Sequence, residues 1–135
     1  MDSTKRDSVK AWLIKAQHDL AAAHRLSEEP QSYLDTAIYH CQQAAEKAIK
    51  GFLVFHDQRF EKTYDLEMLL GLAMPLEPGF SNLMYAAVLL TPYVAAFRYP
   101  GDVLDPTKEQ FDEALREAER VWEFVLSVLP EEVHP

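Results

Sequence analysis

The chain contains few of the residues that mark long loops, disulfide frameworks and membrane spans. It has 135 residues, of which four are Gly and one is Cys. The single thiol, Cys41, cannot form an internal disulfide, so the sequence does not indicate an oxidising compartment. No stretch approaches the roughly 18 consecutive apolar residues of a membrane span, and the polar N-terminus lacks the apolar run of a signal peptide. These absences predict a cytoplasmic protein with one domain, residues 1–135.

Basic residues are scarce in the second half of the chain. Residues 1–62 carry nine Lys/Arg and nine Asp/Glu, whereas residues 63–135 carry four and thirteen, which accounts for the formal net charge of −9. Binding along a duplex depends on neutralising many phosphates, so the composition argues against it. Basic side chains gathered in one cleft act locally whatever the net charge. A small pocket for a nucleotide or an RNA end is therefore compatible with this composition.

Apolar residues make up 48% of the chain and recur at steps of three and four. This spacing predicts long helices whose apolar faces begin at Val9, Leu34, Leu83 and Phe111. A short helix is expected after Asp65. No segment alternates with period two for long enough to indicate a strand. We therefore predict an all-α fold, an antiparallel up-and-down bundle of four long helices plus one short helix.

Local signals predict where several of these helices begin or break. Thr63 and Asp65 are both suitable N-caps for the short helix, and Asp105-Pro106 is typical of an N-cap and first helical residue. Pro92 lies inside the fourth helical pattern, where we expect a kink or a restart.

One polar stripe follows the edge of the buried face of the second helix. It consists of His40, Gln43, Lys47 and Lys50, which step by 3, 4 and 3. Such a stripe could line a groove between helices. It could equally be a solvated boundary in which Glu46 and Lys50 form an ordinary helix pair.

Three short clusters follow one another along the chain: residues 40–50 (HCQQAAEKAIK), 63–66 (TYDL) and 98–100 (RYP). Taken in this order, they resemble the HEPN domain over about Val9 to Leu129. The resemblance implies a small all-helical protein linked to nucleotides or RNA. It also implies a homodimer and a partner that is a minimal nucleotidyltransferase, in a toxin–antitoxin-like pair. In that light, the candidates to line the ligand-binding groove are His40, Gln43, Lys47, Lys50, Arg98 and Tyr99.

The chain departs from the catalytic pattern of HEPN ribonucleases at two places. That pattern has a His four to six residues after the Arg, so that His moves a proton while Arg stabilises phosphate charge. Here no His follows Arg98 until His134, and Tyr64 stands where the family often has His. We therefore predict no catalytic residues, no metal site and no cofactor. A salt bridge to Asp102 is the structural alternative for Arg98.

Two other functions remain open from the sequence. The first is a metal-independent ribonuclease that uses Arg98 together with His40. The second is an acidic helical adaptor that docks a basic partner.

A homodimer is also expected, because the apolar arc of the second helix is wide and four further aromatic residues need cover. These are Trp12, Tyr93, Phe97 and Tyr99.

Overall fold

The structure is a computed structural model that describes residues 1–101 and 104–135. Its described residues form five α-helices joined by turns and 3-10 helices, and they contain no strand. The α-helices are α1 (Ser3–Leu26), α2 (Leu34–Phe55), α3 (Leu66–Ala73), α4 (Met84–Leu90) and α5 (Lys108–Ser127). The 3-10 helices are Pro78–Leu83, Thr91–Val94 and Glu131–Val133. The all-α prediction is confirmed.

The central element is α2, which packs against α1, α3 and α5. Its alanines allow close approach, and Gly51 lies so near α1 that an added Cβ would meet Leu13 Cδ2 at 3.1 Å. The two helices are antiparallel, since Lys5 near the start of α1 pairs with Asp57 just after α2, at 2.9 Å. The wide apolar arc of α2 is buried within this chain. That arc therefore does not itself require a second subunit to cover it.

The fourth helical segment is shorter than its apolar spacing predicts. Only Met84–Leu90 is α-helical, with 3-10 helices at Pro78–Leu83 before it and Thr91–Val94 after it. Proline at position 92 has no N–H and would clash with the carbonyl of a preceding helical turn, so the α-helix ends there. The described chain thus has three long helices, and the prediction of four is not confirmed.

Two helix starts show how well the capping signals work. Asp65 caps α3 as predicted, since its carboxylate accepts the N–H groups of Glu67 and Met68 at 3.0 and 3.4 Å. The prediction for α5 was wrong by two residues. Thr107 is the N-cap and forms a reciprocal capping box with Gln110, at 3.1 and 2.8 Å.

None of the described helices combines the length and the apolar character that a membrane span requires.

Candidate functional site

A buried carboxylate on α1 joins two of the predicted site residues. Asp19 is only 6% exposed, and its two oxygens accept hydrogen bonds from His40 Nδ1 and Lys47 Nζ, each at 2.8 Å. A buried carboxylate requires such partners, because it has left water. His40 and Lys47 are seven residues apart on α2, about two helical turns, so both reach the same side of the helix. The fold therefore brings them together through an acid from the neighbouring helix.

The contact with Asp19 determines which nitrogen of the His40 ring faces a ligand. A hydrogen bond to a carboxylate requires a proton on Nδ1, so Nε2 is the ring nitrogen left for a ligand. The ring of Tyr39 packs edge-on against the imidazole, with centroids 5.4 Å apart. His40 is therefore held on one side by an acid and on another by an aromatic ring.

Arg98 lines the same cavity as His40. The cavity has a volume of about 260 Å³, and its walls are Asp35, Thr36, Tyr39, His40, Phe97 and Arg98. The Arg98 guanidinium stacks on the Tyr39 ring at 4.0 Å from the centroid, and Nη1 donates to the carbonyl of Val94 at 3.0 Å. This arrangement aligns the planar fork while leaving most of its N–H groups for a ligand.

The charge of Arg98 has no carboxylate partner within the described residues. Its closest contacts there are the Tyr39 ring and the Val94 carbonyl, which do not neutralise it. The alternative partner considered from the sequence, Asp102, lies outside the described residues. A guanidinium at a cavity wall that forms no ion pair with a described residue is suited to an anion.

The backbone before Arg98 is strained. Phe97 has φ of 67°, in the left-handed region that bulky residues rarely occupy. Its ring stacks with Tyr93 at 6.1 Å between centroids, which helps to hold the conformation. Strain of this kind persists where the surrounding packing enforces it, and it is frequent at ligand sites.

A second, wider cavity continues from Arg98. It has a volume of about 560 Å³ and is lined by Asp35, Phe97, Arg98, Tyr99, Pro100, Leu104 and Asp105. Tyr99, another predicted site residue, is 65% exposed in this wall. Arg98 thus belongs to both cavities, and Tyr99 belongs to the second.

The two remaining predicted residues lie in a separate network. Lys50 Nζ pairs with Glu46 at 2.9 Å, and its ammonium lies over the rings of Trp12 and Phe60 at 5.8 and 5.6 Å. Gln43 donates to Gln42 at 2.7 Å. These contacts do not support a place for Lys50 or Gln43 at the cavity wall.

That network ties α2 to the segment before α3. Gln42 Nε2 donates both to Glu46 at 3.1 Å and to the carbonyl of Tyr64 at 3.1 Å. Gln42 is fully buried and Glu46 and Lys50 nearly so, and each polar atom has a partner. The arrangement is that of a satisfied structural network.

Sequence reasoning missed the residues that organise the cavity. Asp19 interrupts the apolar edge of α1 immediately before Leu20, and an acid in that position is a usable signal for a buried partner. Tyr39 is adjacent to His40 and was absent from the predicted stripe because residues i and i+1 do not share a helix face. Its contact with Arg98 depends on the turn after α4, which the spacing did not predict.

Two further possibilities, a reactive thiol and a bound metal ion, find no support among the described residues. Burial, with a smaller contribution from Glu119, raises the pKa of the Cys41 thiol to about 12, so the thiolate is suppressed. Within residues 1–101 and 104–135, no three His, Cys, Asp or Glu side chains are grouped so that they could hold a metal ion.

Comparison with known proteins agrees with the all-α fold and with the family resemblance. The family model of the HEPN domain matches residues 9–129. The crystal structure of an archaeal HEPN homologue is similar, with a TM-score of 0.69 and 25% sequence identity over 88% of this chain and 95% of that chain. No curated protein matches the chain. Because the family model covers most of the sequence, this chain belongs to the HEPN domain family.

Proposed function

We propose that this chain is a nucleotide- or RNA-binding HEPN module that is non-catalytic on its own. One observation carries the proposal: Arg98 and His40 line a single cavity, with the guanidinium stacked on Tyr39 and without a carboxylate partner among the described residues. The arginine fork can bind a phosphate through two parallel hydrogen bonds. Nε2 of His40 adds a further polar contact from the opposite helix.

The shape of the two cavities favours a nucleoside phosphate over a free anion. The 260 Å³ cavity is smaller than most small-molecule pockets, which span about 300–1,000 Å³. The adjoining 560 Å³ cavity adds room and the rings of Tyr99 and Pro100, on a mostly polar wall that also carries the carboxylates of Asp35 and Asp105. We assign the phosphate to Arg98 and the nucleoside to the wider cavity. The Asp35 carboxylate lines both cavities and would accept a hydrogen bond from a ribose hydroxyl or base amino group.

Calorimetry tests this assignment directly. Nucleoside mono-, di- and triphosphates and inorganic phosphate are titrated into the wild type and into Arg98→Ala. The matched control is Arg116→Ala, which removes another exposed arginine, on α5, that lines neither cavity. Nucleotide binding that weakens about 30-fold in Arg98→Ala and is unchanged in Arg116→Ala supports the site, since a charge-assisted hydrogen bond contributes roughly 2 kcal/mol. Equal behaviour of the two variants contradicts it.

The proposed protein partner is a minimal nucleotidyltransferase, in a toxin–antitoxin-like pair. Support comes from family membership. Co-expression with a nucleotidyltransferase encoded beside the gene, followed by size-exclusion chromatography, tests it. A transferase that elutes separately from this chain would contradict the pairing.

We also propose that the module is a homodimer. The arc of α2 no longer argues for this, because the chain covers it. The remaining support is exposed apolar surface on and beside α3 and α4, where Tyr64, Met68, Tyr85 and Val88 are each more than half exposed. Sedimentation at low micromolar concentration should give a dimer, and a clean monomer of 15.5 kDa would rule it out.

A ribonuclease is the second candidate function, and one observation favours it. The His40 ring is hydrogen-bonded to Asp19 and lines one cavity with Arg98. In a ribonuclease, these three residues would serve as the acid that orients the base, the base that transfers a proton, and the cation that binds the phosphate. Against it stand the missing His after Arg98 and the Tyr at position 64. We expect negligible cleavage of single-stranded RNA in EDTA. Robust cleavage that is lost in both His40→Ala and Arg98→Ala would establish the ribonuclease instead.

A further inference from the structure

A third cavity lies along the α1–α2 seam, outside the site described above. Its volume is about 270 Å³, and it is lined by Ser8, Ala11, Trp12, Lys15 and Lys47. The four α1 residues step by 3, 1 and 3, so they form one face of the helix. Lys47 closes the cavity from α2. None of the sequence motifs includes the α1 residues.

Lys47 connects this third cavity to the proposed binding site. Its ammonium bonds Asp19 at 2.8 Å, and the other oxygen of Asp19 bonds His40, which lines the Arg98 cavity. The distance along α2 from His40 to Lys47 is about 10 Å, from seven residues at the helical rise. That separation exceeds the reach of a single phosphate group.

The charges along this path are arranged for more than one phosphate. Lys47 and Asp19 largely neutralise each other, being in direct contact. Lys15, at the end of the path in the third cavity, is exposed and forms no ion pair with any described residue. Arg98, at the opposite end, is also exposed and forms no ion pair with a described residue. Among the described residues, the path therefore has at each end a cation that forms no ion pair, and a neutral bridge between them.

Trp12 supplies an aromatic surface beside Lys15. Its indole is half-buried and held edge-on against Phe60, with centroids 6.2 Å apart, while the Lys50 ammonium lies over the ring at 5.8 Å. A fixed indole next to a free ammonium is the combination on which proteins stack bases and hold the backbone of single strands. A base stacked on an aromatic side chain gains about 1–3 kcal/mol.

We infer that the cavity of Trp12, Lys15 and Lys47 is a second nucleotide subsite, so that the ligand is a single-stranded RNA of several nucleotides that runs along the α1–α2 seam. The inference rests on the proposed function and extends it from a nucleotide to a strand. One nucleotide lies at Arg98, and a neighbouring one stacks on Trp12 with its phosphate at Lys15.

Binding of a labelled single-stranded RNA oligonucleotide, followed by fluorescence anisotropy, tests the subsite. Lys15→Gln should weaken oligonucleotide binding about fivefold and lower the salt-dependence slope by about 0.7, the value for one lost contact to a single strand. The matched control is Lys10→Gln, which removes the same charge from another face of α1. Nucleoside monophosphate binding should be the same in both lysine variants.

A direct spectroscopic signal comes from Trp12. The chain has two tryptophans, so Trp122→Phe leaves Trp12 as the sole indole reporter. Oligonucleotide should quench its emission, whereas a nucleoside monophosphate should not. This reporter requires no change to the subsite itself.

The outcomes separate this inference from the one on which it rests. If Arg98→Ala weakens oligonucleotide binding while Lys15→Gln behaves like Lys10→Gln, the second subsite is wrong and the nucleotide site stands. Absence of Trp12 quenching by a bound oligonucleotide also overturns the subsite. If Arg98→Ala changes neither mononucleotide nor oligonucleotide binding, the proposed function itself fails.

Discussion

Lys47 and Lys50 lie one turn apart on α2 and have opposite environments. The Lys47 side chain is 25% exposed, lines a cavity and bonds a carboxylate from α1. The Lys50 side chain is 6% exposed, pairs with Glu46 of its own helix and is enclosed by two aromatic rings. Both belong to the same motif and both are amphipathic lysines.

The difference shows that position around the helix separates a lysine that lines a cavity from one that is buried in a structural network. Three residues advance the helix by about 300°, so the two side chains diverge by roughly 60°. That rotation places the Lys50 ammonium against Glu46 and over the rings of Trp12 and Phe60, while Lys47 reaches Asp19. A motif of regular spacing can therefore contain both a site and the scaffold that supports it.

The largest expected effect comes from breaking the structural network. Lys50→Met should lower the free energy of unfolding by about 3 kcal/mol, because it leaves the buried Glu46 carboxylate without its cation. Urea unfolding followed by far-UV circular dichroism measures the change. Lys47→Met is the comparison variant and should cost less, about 2 kcal/mol, because the Lys47 side chain is the more exposed of the two lysines and the buried Asp19 keeps its bond to His40.

A double variant distinguishes loss of the pair from loss of packing. In Glu46→Leu with Lys50→Met, both charges are gone, and replacing a buried pair by apolar residues is often close to neutral. The double variant should therefore be more stable than Lys50→Met alone. If it is less stable, the lysine acts through its packing against Trp12 and Phe60, and the comparison between the two lysines has to be redrawn.

Ligand binding should reverse the order of the two lysines. Lys47→Met is expected to weaken binding of the RNA oligonucleotide about fivefold, since it removes a cation and leaves the Asp19 charge facing the seam. Lys50→Met, measured where it is fully folded, should weaken binding less than Lys47→Met, because Lys50 affects the proposed subsite only through the Trp12 ring. Equal losses in both variants would mean that the motif acts as one basic surface.

The fold was predictable from the sequence as far as helix periodicity and capping extend. The apolar steps of α1, α2 and α5 and the Asp65 cap are local patterns, and the structure has each of them. The fourth helix was overestimated, because Val94 and Phe97 keep helical spacing through a 3-10 segment and a strained turn. Periodicity alone does not distinguish these conformations.

The candidate site was only partly predictable, because its geometry depends on contacts between helices. His40, Lys47 and Arg98 could be proposed from their motifs. The place of Asp19 between His40 and Lys47 depends on the register of α1 against α2, which no local pattern specifies. The burial of Lys50 depends on Phe60, which reaches it from the segment after α2.

A smaller effect is expected where α1 and α2 meet most closely. Gly51→Ala would place a methyl group 3.1 Å from Leu13 Cδ2 and 3.3 Å from Trp12 Cβ. Leu13 is fully buried and the Trp12 Cβ is tied to the α1 backbone, so neither can move freely. We expect a net loss of about 1 kcal/mol in the free energy of unfolding, with crowding exceeding the gain in helix propensity.

The same variant sharpens the comparison between the seam and the structural network. Displacing α1 would alter the Trp12 subsite, whereas the bond between Gln42 and the Tyr64 carbonyl joins α2 to the segment before α3 and does not involve α1. Oligonucleotide binding should weaken in Gly51→Ala while the mononucleotide still binds at Arg98. Unchanged oligonucleotide binding would argue that the ligand does not use the seam.

The smallest expected effect is a gain, and it calibrates the one at Gly51. Gly71 lies in α3, and an added Cβ would have no atom within 4 Å. Gly71→Ala should therefore raise the free energy of unfolding by about 0.5 kcal/mol, through helix propensity and a less flexible unfolded chain. Urea unfolding under the same conditions measures both glycine variants. If Gly71→Ala were as destabilising as Gly51→Ala, close packing of α1 on α2 could not be the cause of the loss at position 51. The α1–α2 seam would then be no more sensitive to an added methyl group than an exposed position on α3.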